Sequence, residues 1–428
     1  MTTAHRASRA RGVSLIELMI ALAIGALLVL GLVEVFAASR TAYQLSEGLA
    51  RVQENSRFAI DYLQRDLRMV GHMGCVNDQS RFLPENDSGS RSALASTFLL
   101  PADLLANNYS AVLPAFGALR FDRGIEGFEA NNTGEGDTLT SVSTPALEAS
   151  GAAWSPAITG TLLTDLTGGA AAGRVVQKTD VLVLRYFAPV GAQLVSFTPG
   201  DPTATITFDA SKWPQLTEGE ANPGLFAISD CMNAAVFRAS TASAGTITVT
   251  KDTVNRGAMA GYESYVPGQA NVYRAMTVVY YVGRNADGNP ALYRMRYSMT
   301  PGATALTSTR EELVEGVESL QLRYGQDSRL LTADRPTGNI GNSFTADDVA
   351  ANAASPGTNL DTAWRRVGLV QVGLVVRSDN PSAAPDRVAA QLPLSLHGLT
   401  ILPPTTGDTR YRTVYEESIA LRNRLFGN

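Results

Sequence analysis

An uninterrupted apolar stretch near the N-terminus constrains the fold more than any other feature of the chain. No side chain in residues 18–33 is charged. As a helix, residues 13–36 would extend ~36 Å at 1.5 Å per residue, enough to cross a hydrocarbon layer of ~30 Å. The preceding segment contains Arg6, Arg9 and Arg11 and no acidic residue, a bias that retains a segment in the cytoplasm. The sequence therefore predicts a single membrane-spanning helix.

Glu17 is an acidic residue at the start of this helix, five residues after Gly12. A secretory signal peptide has an apolar core of roughly 7 to 15 residues and then a small-residue cleavage site, whereas this core is longer and residues 36–39 make a poor site. A plain signal anchor explains the length but not Glu17, because an acidic group inside the membrane costs about 3 kcal/mol on insertion scales. Glu17 therefore indicates a specific function.

The run GVSLIE from Gly12 to Glu17, followed by an apolar helix, resembles the processing site of type IV pilins and pseudopilins. In that family a prepilin peptidase cuts after the glycine and methylates the new amino terminus, here Val13. Most family members start the mature chain with Phe or Met, so Val13 is a departure. The resemblance implies that Glu17 pairs with the amino terminus of a neighbouring subunit, and a carboxylate in a low-dielectric layer does favour a cation nearby.

The helical pattern continues beyond the apolar stretch. Apolar residues at helical spacing form one stripe, with charged residues on the other faces; the stripe contains Leu45, Leu49, Val52, Ala59, Leu63, Leu67 and Val70. No proline or turn cluster interrupts residues 13–70, so one helix of ~87 Å is possible. Gly71 and Gly74 mark its end.

This pattern divides the chain into four regions. We expect a cytoplasmic leader at 1–12, the membrane-spanning half of the helix at 13–36, its amphipathic half at 37–71, and a β-rich head at 72–428 with a candidate division near residue 270. With 428 residues and 45% hydrophobic content, the chain can bury a large core.

The composition excludes several kinds of site. With 3 histidines and 2 cysteines, there is little material for a zinc site, and we expect no metal and no cofactor. A net charge of −5 gives no indication of a nucleic-acid groove. Outside the cytoplasm, Cys75 and Cys231 can pair in an oxidising compartment, so we predict a disulfide between them. Two free buried thiols are the alternative.

The head is predicted to consist of antiparallel strands and loops. Runs of β-branched and aromatic residues between turn clusters occur at 180–188, 204–208, 246–250, 275–283, 291–298, 317–324 and 367–378. Residues 275–298 favour a hairpin. Its turn contains Asn285, Asp287 and Asn289, which alternate as calcium ligands do, but Pro290 occupies the position that needs glycine, so a turn is favoured.

Two further local signals concern a helix and the loops. The capping box at 308–311 predicts a short helix before the strand at 317. Stretches rich in small and polar residues at 77–91, 131–173 and 335–362 suit surface loops. In a pilin, such loops could contact other tip proteins or a surface.

Four segments outside the leader make the resemblance to pilins more specific. Residues 66–75, 228–231, 313–325 and 419–424 resemble the large minor pilins of the PilW group. The resemblance implies an α+β type IV pilin fold, in which a long N-terminal helix packs on an antiparallel sheet, here with more than one β-rich lobe. The alternative is a pseudopilin of the GspJ kind from a type II secretion system, which is typically far shorter.

An enzyme is the more distant alternative. His5, His72 and His397 belong to no HExxH motif, and neither GxSxG nor a phosphate-binding glycine loop occurs. His72 is expected to cap a helix. A membrane-anchored periplasmic enzyme would need two carboxylates that converge in a pocket.

The resemblance implies a function in assembly. It describes a minor pilin that joins a priming or tip complex, initiates a pilus, and supports twitching motility or adhesion. Expected partners are other minor pilins, the major pilin, a tip adhesin, the prepilin peptidase and the inner-membrane assembly platform. The protein would first lie in the bacterial inner membrane with its head in the periplasm, and later in the fibre at the cell surface.

Overall fold

The structure is a computed structural model that describes residues 12–76, 94–98, 117–259, 265–327, 338–352, 360–379, 392–404 and 408–424. Residues 1–11 of the predicted leader, all of the predicted loop at 77–91 and parts of the predicted loop at 335–362 lie outside the described residues.

The long N-terminal helix predicted from the sequence is confirmed. Helix α1 spans Leu15–Leu67, 53 residues without a break, and it is long and apolar enough to cross a membrane. Its interior contains no proline, so no backbone hydrogen bond is lost. Beyond α1, Gly71 and Gly74 have φ angles of 72° and 75°, a backbone conformation that glycine adopts without strain.

The head that follows α1 consists mainly of strands. In the described residues they are β1 Leu94–Ser96, β2 Ile125–Ala130, β3 Thr138–Thr140, β4 Trp154–Ser155, β5 Arg174–Val175, β6 Val181–Phe187, β7 Ala192–Thr198, β8 Thr203–Phe208, β9 Leu225–Ser229, β10 Ala234–Arg238, β11 Thr241–Ser243, β12 Thr246–Thr250, β13 Asn271–Arg284, β14 Pro290–Ser298, β15 Thr307–Glu315, β16 Val317–Asp327, β17 Ile340–Phe344, β18 Val367–Arg377, β19 Leu394–Leu396, β20 Leu399–Leu402 and β21 Arg412–Ala420. The short helices are α2 Gly160–Thr167, α3 Trp213–Thr217, α4 Ala346–Asn352 and α5 Leu360–Arg365.

These strands form three sheets. The first sheet contains 14 described strands and is organised around β13, which pairs with β5, β6, β7, β9 and β14. The second sheet has the order β17-β16-β18-β21, with every neighbouring pair antiparallel. A third, small sheet contains β19, β20 and β3. The α+β architecture with several antiparallel sheets is therefore confirmed, with parallel pairing in β1–β10 and β20–β3.

The seven predicted strands are present, and the predicted hairpin is β13–β14, whose register ends at Arg284 opposite Pro290. The predicted helix at 308–311 is wrong, because these residues belong to β15 and pair with β14. A ladder of hydrogen bonds to a long neighbouring strand outweighs a local capping signal. The stretch at 131–173, predicted as a loop, contains α2, β3 and β4.

The C-terminal half of α1 packs on the head. The stripe residues Val52, Ala59, Leu63, Leu67 and Val70 are fully buried in a core shared with both large sheets. Leu45 and Leu49 lie on the same stripe but are 39% and 37% exposed. The head therefore covers the stripe from about Val52 onward.

A single residue separates the two large sheets in the chain. β15 of the first sheet ends at Glu315 and β16 of the second starts at Val317. Gly316 between them has a φ angle of 83°. Its N–H donates to the carbonyl of Pro290 in the first sheet at 2.9 Å, and its carbonyl accepts from the amide of Arg377 in the second at 2.8 Å. The backbone of Gly316 is thus bonded to both sheets.

Candidate assembly site on the N-terminal helix

The first turn of α1 holds Glu17 in a defined orientation. Ser14 precedes the helix in an extended conformation, and its Oγ accepts a hydrogen bond from the amide of Glu17 at 3.2 Å. In return, the Glu17 Oε2 accepts from the amide of Ser14 at 2.9 Å. This capping box satisfies two amides that have no partner inside the helix. The carboxylate is therefore directed back toward Val13.

Sequence reasoning identified Gly12, Val13 and Glu17 but missed Ser14. The signal was visible, because Ser-x-x-Glu directly before an apolar run is the pattern of a capping box. The structure brings Ser14 and Glu17 together and leaves Gly12 and Val13 exposed before the helix.

The first half of α1 projects from the head. The large apolar side chains from Val13 to Phe36 are 54–77% exposed. Soluble proteins rarely expose an apolar surface of this size. This half of the helix therefore needs lipid or other apolar helices around it.

A buried charge attaches the second half of α1 to the first sheet. Asp66 is 5% exposed, and its Oδ2 accepts a hydrogen bond from the Tyr280 hydroxyl at 2.5 Å. The guanidinium of Arg294 lies 3.5 Å from the same oxygen and 5.8 Å from the centre of the Tyr62 ring. Burial and the nearby Asp66 carboxylate raise the pKa of the Tyr280 hydroxyl well above its usual value. Tyr280 therefore stays neutral and remains a donor.

Two asparagine side chains add further attachments. The Asn55 amide donates to the backbone carbonyl of Glu315 at the end of β15, at 3.1 Å. Near the C-terminus, Asn423 donates to the carbonyls of Arg68 and Val70 at 3.0 and 3.3 Å. Arg68 is the C-cap of α1 and Val70 lies in the turn that follows, where carbonyls lack partners within the helix. The helix is therefore held to the head at several points along its second half.

The segment after α1 is cross-linked covalently. The predicted disulfide between Cys75 and Cys231 is confirmed, and it joins residues 156 positions apart. His72 does not cap the helix as expected, since the C-cap is Arg68. Instead, the His72 Nδ1 donates to the carbonyl of Phe187 in β6 at 2.9 Å, and the Phe187 amide donates to the carbonyl of His72.

Two carboxyl groups do converge, but in the interior. Asp180 and Glu129 are both buried, and the two Asp180 oxygens accept from the amides of Ala130 and Leu322 at 2.9 and 2.8 Å. Burial raises the pKa of Glu129, and the neighbouring Asp180 raises it further. Because Leu322 belongs to the second sheet and Ala130 to the first, Asp180 links the two sheets from the interior.

Metal-binding side chains do not cluster in the described part of the chain: no group of three or more His, Cys, Asp or Glu there could hold a metal ion. The turn between β13 and β14 is closed by its own side chain, since the Asn285 Oδ1 accepts from the amides of Asp287 and Asn289. His397 lies beside Glu416, with 3.4 Å between the Nδ1 and the Oε1, and burial lowers its pKa.

An apolar helix with a capped glutamate near its start, firmly attached to an antiparallel β-rich head, defines a membrane-anchored protein of the type IV pilin class. Residues 7–33 match the model of the prokaryotic N-terminal methylation motif. Residues 279–423 match the model of the family of type IV pilus-assembly protein W. Together, the two matches support a type IV pilus minor pilin that resembles the PilW family and is processed by prepilin peptidase.

The PilW match begins within β13 and includes β14, β15 and the whole second sheet. Neither family model covers residues 34–278. No curated protein and no solved structure matches the chain. This family is a structural component of the pilus, and its members act with other pilins and with the assembly machinery.

Proposed function

We propose that the protein is a low-copy subunit of the complex that primes a type IV pilus or forms its tip, and that it acts by assembly rather than by catalysis. The main supporting observation is the exposed apolar half of α1, which has Glu17 at its start and a firmly attached head at its other end. Such a helix can leave the lipid only by packing on similar helices, because it has no other apolar surroundings available.

The first step is cleavage between Gly12 and Val13 and methylation of Val13. Both residues are exposed and precede the first turn of α1. A Cβ atom placed on Gly12 would meet no atom of the described residues within 4 Å, so this part of the chain does not block access to the bond. The prepilin peptidase would therefore reach it from the membrane.

The second step is pairing of Glu17 with a neighbouring subunit. In the isolated chain the carboxylate accepts a hydrogen bond from the amide of Ser14, and it can accept more. An amino terminus of an adjacent pilin would supply a positive charge in a low-dielectric layer, where such a pair forms only with good geometry. Glu17 would thus set the register between subunits.

We place the protein in the bacterial inner membrane as a single-pass protein with the head in the periplasm, and later in the pilus at the cell surface. Its direct partners would be other minor pilins, the major pilin, a tip adhesin and the inner-membrane assembly platform. The bias of Arg6, Arg9 and Arg11 supports this orientation.

Replacing Glu17 tests the assembly step. We expect Glu17→Ala to yield a processed, stable protein and to abolish piliation, because the charge that fixes the register is lost. Glu34→Ala is a matched control, since Glu34 is exposed on the same helix but lies at the far end of the apolar stretch. Pili would be measured by electron microscopy and by immunoblots of sheared fibres. Normal piliation with Glu17→Ala would refute the role of Glu17.

The chemical state of the amino terminus, determined by mass spectrometry, distinguishes the pilus subunit from the alternative functions. Methylated Val13 in sheared fibres, formed only with the peptidase present, would support a pilus subunit. Processed protein found only in membranes would favour a pseudopilin of a type II secretion system. An intact Met1 would exclude both and return the chain to a plain membrane anchor or a membrane-anchored enzyme.

A further inference from the structure

An open groove of about 330 Å³ lies between α1 and β15, on the flank of the helix beside the packed stripe. One wall is formed by α1 and the other by β15 with the end of the second sheet. Its lining residues are Asn55, Phe58, Tyr62, Leu313, Val314, Glu315 and Asp379. The groove therefore combines apolar and aromatic walls with two acidic side chains.

The Asp379 carboxylate is incompletely bonded. Its Oδ1 is buried and accepts no hydrogen bond from any residue that the structure describes. Its Oδ2 lies 3.6 Å from the Arg51 guanidinium, which is itself shared with Glu47 at 3.0 Å. Burial raises the pKa of Asp379, and the nearby charge of Glu315 raises it further. A buried acceptor without a donor is unfavourable, so a donor that enters the groove would be stabilised.

The second carboxylate is held in position by amides. The Glu315 Oε1 accepts from the Asn289 Nδ2 at 2.8 Å and from the Asn285 Nδ2 at 3.3 Å. Neutral donors orient this carboxylate without cancelling its charge. The groove thus presents two acidic groups, and the cations near them already have other partners. Arg51 is shared with Glu47, Arg377 donates to Glu318 and Asn289, and Arg410 donates to the backbone carbonyl of Asp379 rather than to its carboxylate.

The aromatic side chains favour a cation with an apolar stem. Phe58 is 50% exposed. Tyr62, one turn further along α1, already carries a guanidinium near its ring, since Arg294 lies 5.8 Å from the ring centre. Arginine and lysine extend their stems along such surfaces while the charged end bonds elsewhere. A bare metal ion would leave the apolar wall uncovered, and the carboxylates would repel an anionic ligand.

We propose that this groove receives an arginine or lysine side chain from a different pilin subunit packed beside α1. The charged end bonds Asp379 and Glu315, and the stem lies against Phe58 and Leu313. The identity of the partner as a pilin rests on the proposed function. Phe58 follows Phe36 by 22 residues, ~33 Å along the helix, so in subunits that pack side by side through the apolar half of α1 this groove faces the neighbour well beyond the membrane-spanning segment.

A photo-crosslinking amino acid in place of Phe58 tests the contact in living cells with the full-length chain. We expect a cross-link to another pilin, through a peptide that contains an arginine or lysine at the contact. Adding Asp379→Asn should lower the yield by about tenfold or more, because one member of a desolvated charge pair is lost. Asp61→Asn is the matched control on the exposed face of α1 and should leave the yield unchanged.

A second cross-linker position, Leu32 in the apolar half of α1, separates the two proposals. Pilin cross-links at Leu32 without the expected cross-link at Phe58 would overturn the groove assignment and leave the pilus function intact. No pilin cross-link at either position would overturn both. A Phe58 cross-link to a peptide without a basic residue, to a second copy of this chain or to a protein that is not a pilin would also overturn it.

Loss of folding is checked within the same experiment. The Asp379→Asn and Glu315→Gln variants should both reduce the Phe58 yield while the Leu32 yield stays at the wild-type level. Reversing the charge with Asp379→Lys should abolish the cross-link, and an acidic substitution of the identified basic residue in the partner should restore it. Failure of both neutral variants to change the Phe58 yield would refute the ion pair.

Discussion

Removing the disulfide should strongly destabilise the head while leaving its folded structure intact. The change is the double variant Cys75→Ser and Cys231→Ser, which replaces both sulfur atoms with hydroxyls of similar size. Cys75 follows the end of α1, and Cys231 lies in the turn between β9 and β10. The bond therefore joins the segment after the helix to the first sheet.

The expected magnitude follows from the length of the closed loop. The bonded cysteines are 156 positions apart. In the chain-entropy model, a cross-link across a loop of this length lowers the entropy of the unfolded chain enough to add roughly 5 kcal/mol to the free energy of unfolding, and removal of a native disulfide typically costs about 2–5 kcal/mol. Because the effect is mainly on the unfolded state, the cost should appear without loss of native contacts.

The free energy of unfolding would be measured by urea denaturation of the full-length protein in detergent, followed by tryptophan fluorescence. The double variant should unfold at a lower urea concentration, and a reducing agent should shift the wild-type protein toward the variant but leave the variant unchanged. Protease resistance in the absence of urea should be the same for both proteins. An unchanged urea midpoint, with the wild-type bond verified by mass spectrometry, would refute the reasoning.

Two further predictions concern the core and the buried carboxyl pair. Leu63→Ala removes a fully buried side chain that joins α1 to both sheets and should lower the free energy of unfolding by about 2–5 kcal/mol. The control Val195→Ala, at a position that is 57% exposed, should change it by less than about 0.5 kcal/mol. Equal urea midpoints for the two variants would contradict this prediction. Because burial raises the pKa of Glu129 above that of the unfolded chain, the folded state binds more protons between the two values, so stability falls as pH rises through this interval. Thermal melts from pH 5 to 8 should therefore show a decreasing Tm for the wild-type protein and a flatter profile for Glu129→Gln, which remains uncharged; parallel profiles would exclude this pair as the source.

Much of α1 could be predicted from sequence because its determinants are local. Continuous apolar composition, helical spacing and two terminal glycines together set its bounds within three residues. The apolar stripe of α1 could also be predicted from the sequence, but the part of it that the head buries could not. The position of the edge of the head leaves Val52 buried and Leu49 partly exposed. Burial of a stripe depends on residues hundreds of positions away.

The helix predicted at 308–311 shows how local signals can mislead. Ser308 and Glu311 have the spacing of a capping box, but in β15 they face β14, where Glu311 bonds Arg294 and Arg296 at 2.9 Å. The opposite charges of Glu311 in β15 and of Arg294 and Arg296 in β14 are a sequence signal for strand pairing that could have identified β15.

The attachments of α1 could not be found from sequence. Asp66 lies 214 positions from Tyr280, and Asn423 is 355 positions from Arg68. Asp379 and Glu315 likewise meet in the groove only because the chain folds back on itself. Sequence reveals the charge and type of such residues, but their convergence depends on the topology of the sheets.

The junction at Gly316 has a mechanical consequence. A linker of several residues would act as a slack tether and let the two large sheets separate under tension, but this junction is one residue long and is hydrogen-bonded on both sides. A pull on either sheet therefore loads the other at once. Under tension the head should respond as one stiff body. A short flexible insertion at Gly316 would remove this direct covalent path for the load and leave the shared core and the Asp180 hydrogen bonds to hold the two sheets together.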